Sequence, residues 1–309
     1  MGVTDNRLQV DIGGGVRIAN PIMTASGTFG YGNEFSSFVD LERLGAIVVK
    51  GISLLPRPGN PPPRIYETMC GMLNAIGLEN VGLDKFVSDK MPILRKIGAP
   101  VIVNVLGDSI DEYAALSENL NNISGITALE VNISCPNVKK GGVAFGTDPA
   151  MVRRVTEAVK GKTSLPVIIK LSPNVTDITT TAKAAEDGGA DTISLINTVM
   201  GMAIDHRTKR PRLANIIGGL SGPAIKPVAL RMVWQAAKVV KIPIIGIGGI
   251  MSVEDVLEFM IAGASAVQIG TANLVDPDTT GKIIDGLYDY LEESGCETIR
   301  EVIGTLQTG

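Results

Sequence analysis

The chain is poor in the residues from which many chemical sites are built. Its 309 residues include a single histidine, His206, and three cysteines, Cys70, Cys135 and Cys296. One histidine excludes a His-based triad and a multi-histidine metal site, and the acidic residues show no metal-ligand spacing, so no metal is expected. Three widely spaced thiols with no CxxC do not form a disulfide framework. They also fall short of the four ligands of an ordinary iron–sulfur cluster. His206 lies in the short basic stretch HRTKRPR, where a surface role fits better than catalysis. No long block of one charge occurs and the net charge is −4, which argues against a nucleic-acid partner. No apolar run reaches membrane-spanning length. The N-terminal MGVTDNRLQVDIGG has no basic segment followed by an apolar one, so a soluble, cytoplasmic protein is expected.

Aromatic residues are also scarce, at 4% against 45% hydrophobic overall, so Ile, Val, Leu and Ala must fill the core. They do so in short, near-continuous runs of the kind that suits parallel strands buried on both faces. The predicted strands are Ile22–Ala25, Ala46–Ile52, Val101–Leu106, Leu129–Ser134, Val167–Leu171, Thr192–Ile196, Ile244–Ile247 and Ala266–Ile269. Helical patterning separates them, over Phe35–Leu44, Gly82–Ile97, Ile110–Ile123, Pro149–Lys160, Ile178–Gly188, Pro223–Val240, Val253–Ala262 and Thr280–Ser294. Eight strands alternating with eight helices make a single (β/α)8 TIM barrel over residues 1–309. A doubly wound sheet is the alternative, though it usually has fewer strands. Extra length follows the second, fourth and sixth strands, at the barrel face where active sites are built. A short N-terminal β-hairpin, Leu8–Val10 with Val16–Ile18, is expected to plug the other end.

Three patterns point to chemistry. Gly246, Gly248 and Gly249 end the seventh strand, and Gly270-Thr271 ends the eighth. In barrels the loops after these strands commonly hold a phosphate through backbone N–H groups. The run is no dinucleotide fingerprint, because Met251 stands where the third glycine belongs. Polar residues then recur at strand ends: Lys50, Asn104, Asn132, Lys170 and Asn197. Such residues are costly inside apolar runs unless paired or functional. Amides suit the donors and acceptors of a heterocycle; lysines suit a carboxylate, an anionic cofactor ring or a Schiff base. Finally, Cys135 opens the loop after the fourth strand, a position for proton abstraction or nucleophilic attack. Alone it would more often be a small buried hydrophobe.

At Asn132–Asn137 the sequence NISCPN resembles the dihydroorotate dehydrogenase family, whose class 1 members open their active-site loop with NxSCPN. The resemblance runs along the chain through SGTFGYG (Ser26–Gly32), VVKGIS (Val48–Ser53), NAIGLEN (Asn74–Asn80), VNVLG (Val103–Gly107) and IKLSPN (Ile169–Asn174). It continues in NTVMGMAID (Asn197–Asp205), GGLSGPAIKP (Gly218–Pro227), GIGGI (Gly246–Ile250) and IGTAN (Ile269–Asn273). The resemblance implies oxidation of dihydroorotate to orotate in pyrimidine biosynthesis, with a base taking the C5 proton while hydride leaves C6 for the N5 of FMN. It makes Cys135 that base. It carries FMN contacts to Ser26, Lys50, Gly51, Asn104, Asn132, Lys170, Ile196, Gly222, Gly248, Gly249, Gly270 and Thr271. It carries substrate contacts to Lys50, Asn74, Ala75, Ile76, Gly77, Leu78, Asn132, Asn197 and Thr198.

Class 2 members have serine at the Cys135 position and an N-terminal extension, and this chain resembles them less. After the CPN core, VKKGGVAFGTDP is similar to class 1B catalytic subunits. That class implies a heterotetramer built on a homodimer of this chain, in which a second subunit carries FAD and a [2Fe–2S] cluster and passes electrons to NAD+. The alternatives are a class 1A homodimer using fumarate, a Schiff-base phosphosugar aldolase or isomerase using Lys50 or Lys170, and a flavin-carrying scaffold without catalysis. Gly141 and Gly142 make a mobile lid over Cys135 a further expectation.

Overall fold

The computed structural model describes residues 5–134 and 145–309. Eight parallel strands form one sheet: β1 (Ile22–Thr24), β2 (Ile47–Val48), β3 (Val101–Val105), β4 (Ala128–Asn132), β5 (Val167–Lys170), β6 (Thr192–Leu195), β7 (Ile244–Ile247) and β8 (Ala266–Ile269). Neighbours in sequence are neighbours in the sheet, and β8 pairs with β1 through Val267–Ile22, Gln268–Met23 and Ile269–Thr24. The remaining gap, between β1 and β2, is bridged in parallel at Met23 and Ala46, with Gly45 N donating to Ile22 O at 2.9 Å. The sheet therefore closes into a barrel. Its strands are buried throughout except for Asn132 at the end of β4, as expected for a sheet covered on both faces.

The covering helices are α1 (Ile110–Asn121), α2 (Pro149–Lys160), α3 (Ile178–Asp187), α4 (Lys226–Ala237), α5 (Val253–Ile261) and α6 (Thr279–Ser294). Their starts follow the sequence signals. Ser109, Asp148, Asp177 and Ser252 each cap a first-turn N–H, and Ser252 with Asp255 completes a capping box.

Two helices depart from expectation. No α-helix spans Phe35–Leu44; a 3-10 turn, Asn33–Phe35, ends at its start, and another, Leu41–Arg43, lies near its end. Asp40 is extended there and takes the N–H of Glu42 on its side chain, so it starts a separate turn and the segment does not continue as one helix. The second helix is continuous over 82–94 but widens to a π turn at Phe86–Lys90. Pro92 has no N–H to give the fourth carbonyl back, and Met91 N bonds instead to Phe86 O.

The N-terminal hairpin, Val10–Asp11 with Arg17–Ile18, sits at the N-terminal ends of β5 and β6. The Thr192 hydroxyl donates to Ile12 O, and a side chain at Gly13 or Gly14 would run into Asp191 or Pro166. At the opposite mouth lies a feature that the strand pattern does not announce. The insertions after β2 and β6 meet in an antiparallel sheet ordered Val199–Met202, Ile217–Ser221, Gly71–Asn74, Ile65–Thr68. A small hairpin, Ile204–Asp205 with Arg210–Pro211, extends from it. No helix among the described residues is long and apolar enough to cross a membrane.

Candidate active site

The loops leaving β1, β6, β7 and β8 enclose a cleft at the C-terminal mouth. Ser26, Lys170, Ile196, Asn197, Thr198, Gly222, Gly248, Gly249, Gly270 and Thr271 all line it, so most of the predicted cofactor residues converge. Three of its glycines have φ values that side chains rarely adopt: Gly222 at 92°, Gly248 at 130° and Gly249 at 75°. Their surroundings are equally restrictive. A Cβ on Gly249 would lie 2.8 Å from both Gly222 O and Lys226 N, and one on Gly222 would lie 2.7 Å from Gly71 Cα. Gly246 is different. It is glycine because Phe259 packs on it, 2.4 Å from where a Cβ would stand.

Side chains brace this cradle from behind. Asp255 accepts from Met251 N at 2.7 Å and Ser252 N at 3.1 Å, fixing the loop after β7. Lys226 pairs with Asp255 at 2.5 Å and Glu258 at 3.0 Å. The hydrogen bond to Asp255 leads in holding its pKa above the ordinary lysine range, against the opposing effect of burial. Thr271 Oγ1 donates to Ser221 Oγ at 2.8 Å and ties β8 to the antiparallel sheet.

Among the described residues no carboxylate lines the cleft, and Lys170 is the only charged residue in its lining. Below it, strand alternation turns polar residues into the barrel, where sequence reasoning had found only part of the arrangement. Glu130, fully buried on β4, accepts from Asn104 Nδ2 at 2.7 Å and from Lys170 Nζ at 3.3 Å on Oε1. On Oε2 it accepts from Ser194 Oγ at 3.0 Å and Gln268 Nε2 at 2.5 Å. Five strands thus meet on one carboxylate. The signal for it was available: Glu130 interrupts an apolar run two residues before Asn132, on the same face of the strand.

The other predicted residues are distributed around this centre. Asn132 Oδ1 accepts from Asn197 Nδ2 at 3.3 Å, joining the ends of β4 and β6, and the buried Tyr113 donates to Asn132 O at 2.7 Å. Asn197 Oδ1 accepts from Thr198 N at 2.7 Å. Gly51 approaches Asn104, whose Oδ1 would lie 2.8 Å from a Cβ there. Lys50 N bonds to Gly30 O at 2.9 Å, and Lys50 is not part of the cleft lining. Asn74 to Leu78 lie on the antiparallel sheet and the loop after it, also outside that lining. Asn74 Nδ2 donates to Gly219 O at 3.3 Å, Asn60 holds Ala75 and Ile76, and Leu78 takes a φ of 59°. Cys135, Gly141 and Gly142 lie outside the described residues. His206 and Cys70 are exposed.

The cleft fits a flavin mononucleotide on two counts. Its glycine cradle suits close backbone approach to a phosphate; behind the lining, on the same Glu130 oxygen as Lys170, Asn104 has a buried Oδ1 with no partner among the described residues. Barrel and cleft together describe a (β/α)8 protein suited to a phosphorylated ligand at its C-terminal mouth.

Comparison with known proteins narrows this class. The family model for dihydroorotate dehydrogenase matches residues 7–291, and the chain belongs to that family. A protein of Geotalea uraniireducens is 56% identical over 308 residues, covering 100% of both chains. One from Geobacter sulfurreducens is 59% identical over 300 residues, covering 97% of this chain and 98% of the relative. Both relatives bear the name dihydroorotate dehydrogenase B (NAD(+)), catalytic subunit.

Proposed function

We propose that this chain is the catalytic subunit of an NAD+-linked dihydroorotate dehydrogenase, oxidising dihydroorotate to orotate in pyrimidine biosynthesis. The observation that carries the reading is the cleft itself: a glycine cradle for a phosphate, with Lys170 the only charged lining residue among the described residues. A Schiff-base aldolase would also use a lysine, but Lys170 is engaged with Glu130 at 3.3 Å, and the relatives are dehydrogenases by name. Those names likewise favour NAD+ over fumarate as acceptor.

In this reading the whole chain acts as one FMN-binding barrel domain. Gly222, Gly248, Gly249, Gly270 and Thr271 hold the phosphate, and Ser26, Lys50, Gly51, Asn104, Asn132, Lys170 and Ile196 hold the rest of the cofactor. FMN supplies the hydride acceptor. Lys170, held by Glu130 at 3.3 Å, would supply a fixed positive charge to stabilise negative charge developing on the reduced cofactor. Lys50, Asn132, Asn197, Thr198 and the segment Asn74–Leu78 bind the pyrimidine ring. Cys135 removes the C5 proton.

Electrons leave to NAD+ through a second subunit carrying FAD and a [2Fe–2S] cluster, in a cytoplasmic heterotetramer built on a homodimer of this chain. Three cysteines in this chain are too few to hold such a cluster alone. Affinity purification from the native cell tests the assignment. It should recover a partner bringing FAD and iron, with dihydroorotate-dependent reduction of NAD+. An active lone homodimer that reduces fumarate would contradict it.

A further inference from the structure

Glu130 does not line the cleft, yet it carries a carboxylate at zero exposure with hydrogen bonds from four other strands. A buried ion pair is a poor stabilising device, because apolar residues of similar volume usually serve stability as well or better. On one oxygen Glu130 holds Lys170, which lines the cleft, together with Asn104, which is buried behind it. Lys170, 4% exposed, reaches the cleft on one side and Glu130 on the other. Asn104 is oriented by the same contact. A carboxylate only accepts, so the Asn104 amide must turn its NH2 inward, which leaves its Oδ1 toward Gly51 without a partner among the described residues.

We propose that Glu130 is a positioning residue for the flavin: it sets the orientation of Asn104 and the place of Lys170. Its negative charge also offsets the lysine and so restrains how readily the flavin is reduced. The inference rests on the proposed FMN site. Reduction places negative charge on the flavin, and removing a nearby anion favours that product.

The test is an anaerobic reductive titration of the FMN-loaded chain against a reference dye, with FMN affinity measured in parallel. Glu130→Gln should fold, because the Ser194 hydroxyl can rotate and Gln268, whose Oε1 has no partner among the described residues, can turn its amide over. Its equilibrium constant for flavin reduction should rise about ten-fold. Glu130→Asp keeps the charge but retracts it, so the midpoint potential should stay at the wild-type value while the FMN dissociation constant rises about five-fold. The aspartate variant decides alone if the glutamine variant does not fold. A potential unchanged in Glu130→Gln, or FMN affinity unchanged in Glu130→Asp, would overturn the inference and leave the FMN site standing. A wild-type chain that binds no FMN would overturn both.

Discussion

Replacing Cys135 by serine should lower turnover with dihydroorotate by about 10²–10⁴-fold while FMN remains bound. The size follows from the step removed. A proton leaves carbon as hydride leaves the adjacent carbon, and a positioned base is needed to take it. An ordinary thiol titrates near about 8.5, so a thiolate is accessible close to neutral pH, whereas an alkoxide is not. Wild-type activity should accordingly rise with pH as the thiol ionises, and the serine variant should lose that rise. FMN retention separates loss of the base from loss of the site, since the cradle and Lys170 belong to β5, β7, β8, their loops and the insertion after β6. Steady-state kinetics across pH, with flavin content measured on the same samples, checks both parts. Unchanged turnover would remove Cys135 from the reaction.

The second large effect is expected at Gly249. Gly249→Ala should weaken FMN binding about 100-fold with the barrel intact. Two costs add. The residue sits at φ 75°, where an alanine costs about 1–2 kcal/mol, and its Cβ would stand 2.8 Å from Gly222 O and Lys226 N. Both neighbours are backbone atoms, so relief comes only by opening the cradle. Circular dichroism together with an FMN titration measures the effect. Wild-type affinity in this variant would show that the phosphate lies elsewhere.

Much of this architecture was legible from the chain alone. Ile244–Ile247 and Ala266–Ile269 could be delimited to the residue because each is a short apolar run bounded by residues unfit for a buried strand. Gly248 and Gly249 could be placed at the barrel mouth by their position after the seventh strand, and the structure gives them backbone angles and crowding that suit glycine. What escaped has a common physical cause. The antiparallel sheet over the mouth pairs Gly219 with Asn74, strands of four or five residues from two insertions far apart in sequence, and such pairing leaves no local periodicity. The cluster on Glu130 is likewise built from single residues on β3, β4, β5, β6 and β8, each unremarkable within its own strand. Phe35–Leu44 failed in the other direction. Its apolar spacing is helical, but Asp40 makes a better cap than a helix interior.

The proposed division of labour, in which this chain performs the dihydroorotate half-reaction and another subunit reaches NAD+, is tested most directly by one anaerobic experiment on the FMN-loaded chain alone. Dihydroorotate should bleach the flavin band at about 450 nm, and NAD+ added afterwards should leave it bleached. A band that dihydroorotate does not bleach would contradict the assigned chemistry. A band that NAD+ restores without a partner would contradict the assigned division.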